Sequence, residues 1–143
     1  MLLPPPIRLS PREAAELLGI NHARMRRNHT CDLLPGGFGR CSGEHAKLGV
    51  ADLFVLLVGH YCRRFRIPLD EAVRQVGGPL TRFLGPTVRS IPPAALVALM
   101  RGRTLEIRAG DHAHLLELDA IAEELATLIA AHELVTAASK ESA

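Results

Sequence analysis

Apolar and polar positions alternate along this chain with a helical period for most of its length, and the pattern divides it into recognisable elements. From Ser10 the reading is S-P-R-E-A-A-E-L-L-G. Ser10 is a favourable N-cap, Pro11 suits the first helical position and Glu13 completes an S-x-x-E capping box. Ala14, Ala15, Leu17 and Leu18 form the apolar stripe, and Gly19 supplies the left-handed residue that ends a helix of about two turns. Ile20 is expected to plug the turn and Asn21 to cap a second helix. In that second helix Ala23 and Met25 are predicted to face the first, leaving His22, Arg24, Arg26 and Arg27 outward.

A third helix is predicted over Val50 to Tyr61, with Leu53, Leu56, Leu57, His60 and Tyr61 at helical spacing. Asp52 near its start and Arg63-Arg64 in its last turn suit the macrodipole. Gly and Pro crowd the stretch from Gly77 to Pro93, so residues 78–93 are expected to be a connector, with Pro79 to Leu84 a candidate short helical turn. Beyond it, Ala95–Met100, Thr104–Ile107 and His114–Leu118 are apolar runs separated by the turn signals Arg101-Gly102 and Gly110-Asp111, which predicts a small antiparallel sheet. Asp119 should then cap an amphipathic helix with Ile121, Leu125, Leu128, Ile129 and His132 on one stripe and Glu123, Glu124 and Glu133 opposite. Three strands and a helix bury little alone, so this segment is expected to pack on the N-terminal half or on a second copy.

Composition bounds the picture. At 143 residues with 48% apolar content, the chain has enough material for one compact core. The net charge of +2 hides an asymmetry: residues 1–90 hold 13 Lys or Arg against 7 Asp or Glu, residues 91–143 hold 4 against 8. A basic front half suits phosphates, and the acidic back half must serve another purpose. The start, MLLPPPIRL, has no basic n-region and its apolar run is broken by prolines; no stretch reaches the length of a membrane span. A cytoplasmic, nucleoid-associated protein is expected, with no membrane partner.

Candidate chemistry narrows further. Cys31, Cys41 and Cys62, with His29, His45 and His60, contain no C-x-x-C pair, and neighbours two apart on a helix point to different sides, so neither metal nor other cofactor is expected. Cys62 reads as a core residue. Asp111-His112 and His114 have no Ser or Cys nucleophile in the same segment, and Gly36-Gly37-Phe38-Gly39 fits a hairpin tip better than a nucleotide loop. No catalytic residues are assigned.

Two helices hinged at a glycine and followed by a basic run have the outline of a helix-turn-helix, and the order downstream resembles the DNA-binding half of the MerR family. The matching residues are Ala15, Leu18, Gly19 and Ile20 in the first unit and Arg26 in the recognition helix. Leu34 and Pro35 match the turn, Gly37, Phe38 and Arg40 the wing, and Leu53, Leu56, Ile67, Leu69 and Ala72 the helices that follow. The resemblance covers residues 8–77. It departs at Asn28, where that family usually has an aromatic, and at Cys41, near another. After residue 90 the chain lacks the long dimerising helix of a full-length MerR regulator and has no cysteine for a metal-sensing loop, so sensing of that kind is not implied.

The resulting expectation is a mainly α, α+β chain: a winged helix-turn-helix over 8–77, the connector over 78–93, and a small α+β dimerisation or partner-binding segment over 94–143. The candidate DNA contacts are Asn21, His22, Arg24, Arg26 and Arg27 on the second helix, Arg40 and Lys47 on the wing, and Arg63 and Arg64 after the third helix, with Arg66 beside them. The function expected is a dimeric, sequence-specific reader of double-stranded DNA that regulates transcription. An excisionase-like accessory factor and a protein-interaction module are the alternatives, and any small-molecule effector is unassigned.

Overall fold

The computed structural model describes residues 7–27, 30–34 and 47–141. The order is α1 (Pro11–Leu18), α2 (His22–Arg27), a 3-10 turn (Thr30–Leu33), α3 (Val50–Tyr61), a second 3-10 turn (Cys62–Phe65), α4 (Leu69–Leu84), a third (Gly85–Arg89), α5 (Pro93–Met100), the strands β1 (Thr104–Ala109) and β2 (His112–Glu117), and α6 (Leu118–Glu141). Among the described residues the chain is thus mainly helical, with one two-stranded antiparallel sheet. No helix among the described residues is long and apolar enough to cross a membrane.

α3 is the centre. It is apolar all round, and every residue from Val50 to Gly59 is buried, which is the pattern of a helix enclosed by its neighbours rather than lying on a surface. Asp52 is buried too, and its Oδ2 accepts the Gly49 N–H at 3.0 Å, closing the first turn. α4 crosses α3 at Gly59, where a Cβ would lie 2.9 Å from Leu69 Cδ1 and 3.2 Å from Val73 Cγ2; only a glycine lets the two helices approach so closely.

Two sequence expectations need correction. α4 does not stop at Gly77: it runs through Gly78 and Pro79 to Leu84, because Leu69, Ala72, Val73, Val76, Leu80 and Leu84 form one continuous buried stripe. Pro79 lies on the exposed side, so its missing N–H costs less than losing the packing of Leu80 and Leu84. The run Ala95–Met100 is helical rather than a strand. Pro93 at the first position starts α5, and Leu96 and Met100, four apart, are its buried residues.

The sheet is therefore a hairpin. Thr104 pairs with Glu117 and Ala109 with His112, so Gly110 and Asp111 form a two-residue turn with Gly110 at φ 62°. Ile107 and Leu116 are buried on its inner face, while His114 stacks on Phe65 with ring centroids 3.9 Å apart. Gln75 from α4 covers the edge of β1: its side-chain amide donates to the Arg108 carbonyl and accepts the Arg108 N–H, both at 3.3 Å.

α6 begins one residue before the expected cap; Asp119 lies in its first turn and its Oδ1 accepts the Ala120 N–H. Ile121, Ala122, Leu125 and Ile129 are buried against α5, α3 and α1. One hydrophobic core runs from Leu9 to Ile129, so the C-terminal segment packs on its own N-terminal half. From Ala130 to Ser139 only His132 is half-buried, and Leu134 and Val135 remain 73% and 69% exposed.

Candidate functional site: the outer face of the second helix

The first two helices are held as a unit by local chemistry. Ser10 Oγ accepts the Glu13 N–H at 3.1 Å and Glu13 Oε1 accepts the Ser10 N–H at 3.0 Å, a complete capping box. These bonds from Ser10, backbone first, with the field of Lys47, hold the Glu13 carboxyl below its usual range against the opposing effect of burial. Gly19 ends α1 in the left-handed region at φ 72°, ψ 31°, and Ile20, buried in the turn, donates its N–H to the Ala15 carbonyl at 2.9 Å. Asn21 Oδ1 accepts the Arg24 N–H at 3.0 Å and so caps α2.

Among the described side chains of α2, Met25 is the one that is buried, at 1% exposure. Ala23 does not join it, contrary to the sequence reading: residues two apart on a helix differ by about 200°, so burying one turns the other outward. Ala23 is exposed, flanked by exposed Arg24 and Arg26. A methyl group between two guanidinium side chains lets the helix backbone come close to whatever it faces. His22 is half-buried, and its imidazole is held below the usual range first by that burial, then by the charges of Arg12 and Arg26, with Glu16 opposing. Arg12 and Arg26 therefore lie along one edge with His22 between their fields. Arg12 was missed by sequence reasoning, although its place in the first turn of α1, four residues ahead of Glu16, was the available signal.

The other sequence candidates are dispersed. Arg27 closes α2, but its side chain lies outside the described residues, as does all of Arg40. The expected wing, with Gly37 and Phe38, falls outside them too. What is described of its far end is Lys47, exposed, followed by Leu48, whose backbone exchanges hydrogen bonds with Leu9 at 2.7 and 3.1 Å. That pairing fixes the strand-like segment ahead of α1 to the chain ahead of α3, and it brings Lys47 within electrostatic reach of Glu13.

Arg63 and Arg64 are exposed beyond the C-terminus of α3. Arg64 lies over the rings of Tyr61 and Phe65, 5.6 and 5.0 Å from their centroids, beside the end of α1 rather than on α2. Arg66 adopts φ 63° to end the turn. Cys62 is fully buried, and burial pushes its thiol up to about 11, the environment of an inert core cysteine. Among the described residues no three His, Cys, Asp or Glu side chains gather where they could hold a metal ion.

No family model, curated protein or solved structure matches this chain. The functional reading therefore rests on its own residues.

Proposed function

We propose that the chain is a sequence-specific double-stranded DNA-binding regulator of MerR-like, winged helix-turn-helix type, with α2 as the helix that enters the major groove. The observation that carries the reading is the outer face of α2. Arg24 and Arg26 stand exposed on either side of Ala23, on a helix fixed from behind by Met25, Ile20 and the Gly19 turn. Arg24 and Arg26 have the fork of donors that pairs with guanine O6 and N7 or with phosphate. Arg12 and His22 would meet the backbone beside them. Asn21 spends its carbonyl oxygen on the cap, which leaves its amide N–H groups for a phosphate or base edge. Lys47, with Arg40 and Arg27, would add backbone contacts from the wing and the helix end; Arg63 and Arg64 are assigned lesser roles.

A homodimer is part of this proposal. In the outer half of α6 the apolar side chains of Leu134 and Val135 stand exposed. A stretch that short is marginal as an isolated helix in water and gains stability from an apolar neighbour. A two-fold dimer would match a palindromic site.

Selection from a random duplex pool, followed by mobility-shift titration at several salt concentrations, tests the reading. The expected result is an enriched, two-fold-related site and log K falling linearly with log salt, by about 0.9 for each phosphate neutralised. No enrichment together with salt-independent binding would overturn it.

A further inference from the structure

A groove separate from the outer face of α2 runs between the end of α1, the end of α3 and the middle of α6. Its volume of about 550 Å³ is that of a small-molecule site. Leu17, Leu57 and Leu128 line it with apolar surface, and Gly19 lies at its rim. Its polar groups come from three separate helices: Glu16 on α1, His60 and Tyr61 on α3 with Arg64 just beyond, and Glu124 on α6.

The arrangement of those groups favours one ligand charge. Tyr61 donates its hydroxyl proton to Glu124 Oε2, and that bond, with burial and the same carboxylate's charge, raises the phenol above its usual range, so the tyrosine stays a neutral donor. Glu124 keeps its remaining lone pairs. Glu16 makes no hydrogen bond or ion pair among the described residues. Arg64 is the one guanidinium among the groove's described lining residues, and it lies over the Tyr61 and Phe65 rings. Among the groove's described lining residues two exposed carboxylates stand against one engaged guanidinium, in a chain whose N-terminal half is otherwise basic. His60 adds a polar atom: its Nδ1 is buried with no hydrogen-bond partner among the described residues.

We propose that this groove binds a small amphipathic organic cation, an ammonium group carried on an apolar body. The ammonium would sit between Glu16 and Glu124, whose oxygens match its three donors, while the body lies on Leu17, Leu57 and Leu128. An anion of the same shape would be repelled. Because Leu17, Leu18 and Gly19 line the groove and lead directly into α2, an occupant touches the turn that orients the proposed reading helix; that regulatory meaning rests on the DNA reading, whereas the binding chemistry does not.

The test uses the full chain without DNA, so it succeeds or fails independently of any DNA titration. Phenethylammonium, phenethyl alcohol and phenylpropionate are titrated at pH 7 into the isotope-labelled protein and followed by amide chemical shifts. The expected result is saturable binding of the ammonium with shifts at Gly19, Tyr61 and Leu128. The alcohol should bind at least about tenfold more weakly, and the Glu16→Gln/Glu124→Gln variant should lose about tenfold for the ammonium alone. The proposal is overturned if the carboxylate or alcohol binds as tightly in the unaltered protein, if the folded variant keeps its affinity, or if no shift saturates by about 10 mM ammonium.

Discussion

Replacing Met25 by alanine tests how α2 is held. Met25 is the one buried side chain among those described in α2, at 1% exposure. Truncation removes about three heavy atoms' worth of burial, or ~2.4 kcal/mol at about 0.8 kcal/mol per methylene-sized group. The void left in the core adds a cavity term of about 1 kcal/mol if the site collapses only in part. The expected loss is therefore about 2–4 kcal/mol, within the range measured for buried Met→Ala changes. For a chain of this length each kcal/mol corresponds to about 3–4 °C, so Tm should fall by roughly 6–16 °C. Met25→Leu conserves volume and should cost under about 1.5 kcal/mol. The control is Ala23→Leu: on an exposed position it should change stability by less than about 0.5 kcal/mol, whereas a buried one would be overpacked by about 1–3 kcal/mol. Thermal unfolding followed by circular dichroism reads all three. If Ala23→Leu costs as much as Met25→Ala, or Met25→Ala costs under about 1 kcal/mol, the orientation of α2 described above is wrong.

Other predictions address separate features. Gly59→Val should destabilise by more than about 2 kcal/mol in a denaturant titration, because its side chain would meet Leu69 and Val73 at the α3–α4 crossing. Ser10→Ala should cost about 1 kcal/mol through loss of the cap. Glu13 is lowered from its ordinary value of 4.5, so its contribution is complete above that pH and is lost as pH falls through the lower folded value; Glu13→Gln should remove this part of the acid dependence of Tm. In a Cys31→Ser/Cys41→Ser background, Cys62 should stay unreactive to a thiol reagent at pH 8 until the protein is denatured, since burial raises its thiol to about 11.

Much of the architecture was legible where local signals and tertiary packing agree. The capping box at Ser10, the αL glycine at 19 and the largely apolar run of α3 each have a local cause that survives in the fold. The hairpin from Thr104 to Glu117 was legible from its Gly-Asp turn. The errors arose where packing overrode local propensity. Gly77 reads as a breaker, yet it lies where a Cβ would come within 3.0 Å of the Leu33 carbonyl oxygen, so the glycine serves a close approach and α4 continues past it. Ala95–Met100 has no alternation to distinguish strand from helix, and only the burial of residues four apart reveals the period. At the candidate site, Arg24 and Arg26 were readable as outward, but Ala23 was not, because an alanine fits either face. The groove lined by Glu16, Tyr61 and Glu124 joins residues far apart in sequence and left no motif to read.

The central claim is that α2 reads a duplex through its exposed arginines, and Arg26→Ala measures it most directly. Affinity of the folded variant is compared on the selected site and on a scrambled duplex at one fixed salt concentration. The account predicts a loss of about 1–3 kcal/mol on the selected site, roughly 5- to 150-fold in Kd, and a smaller loss on the scrambled one. Unchanged affinity on both duplexes would contradict it.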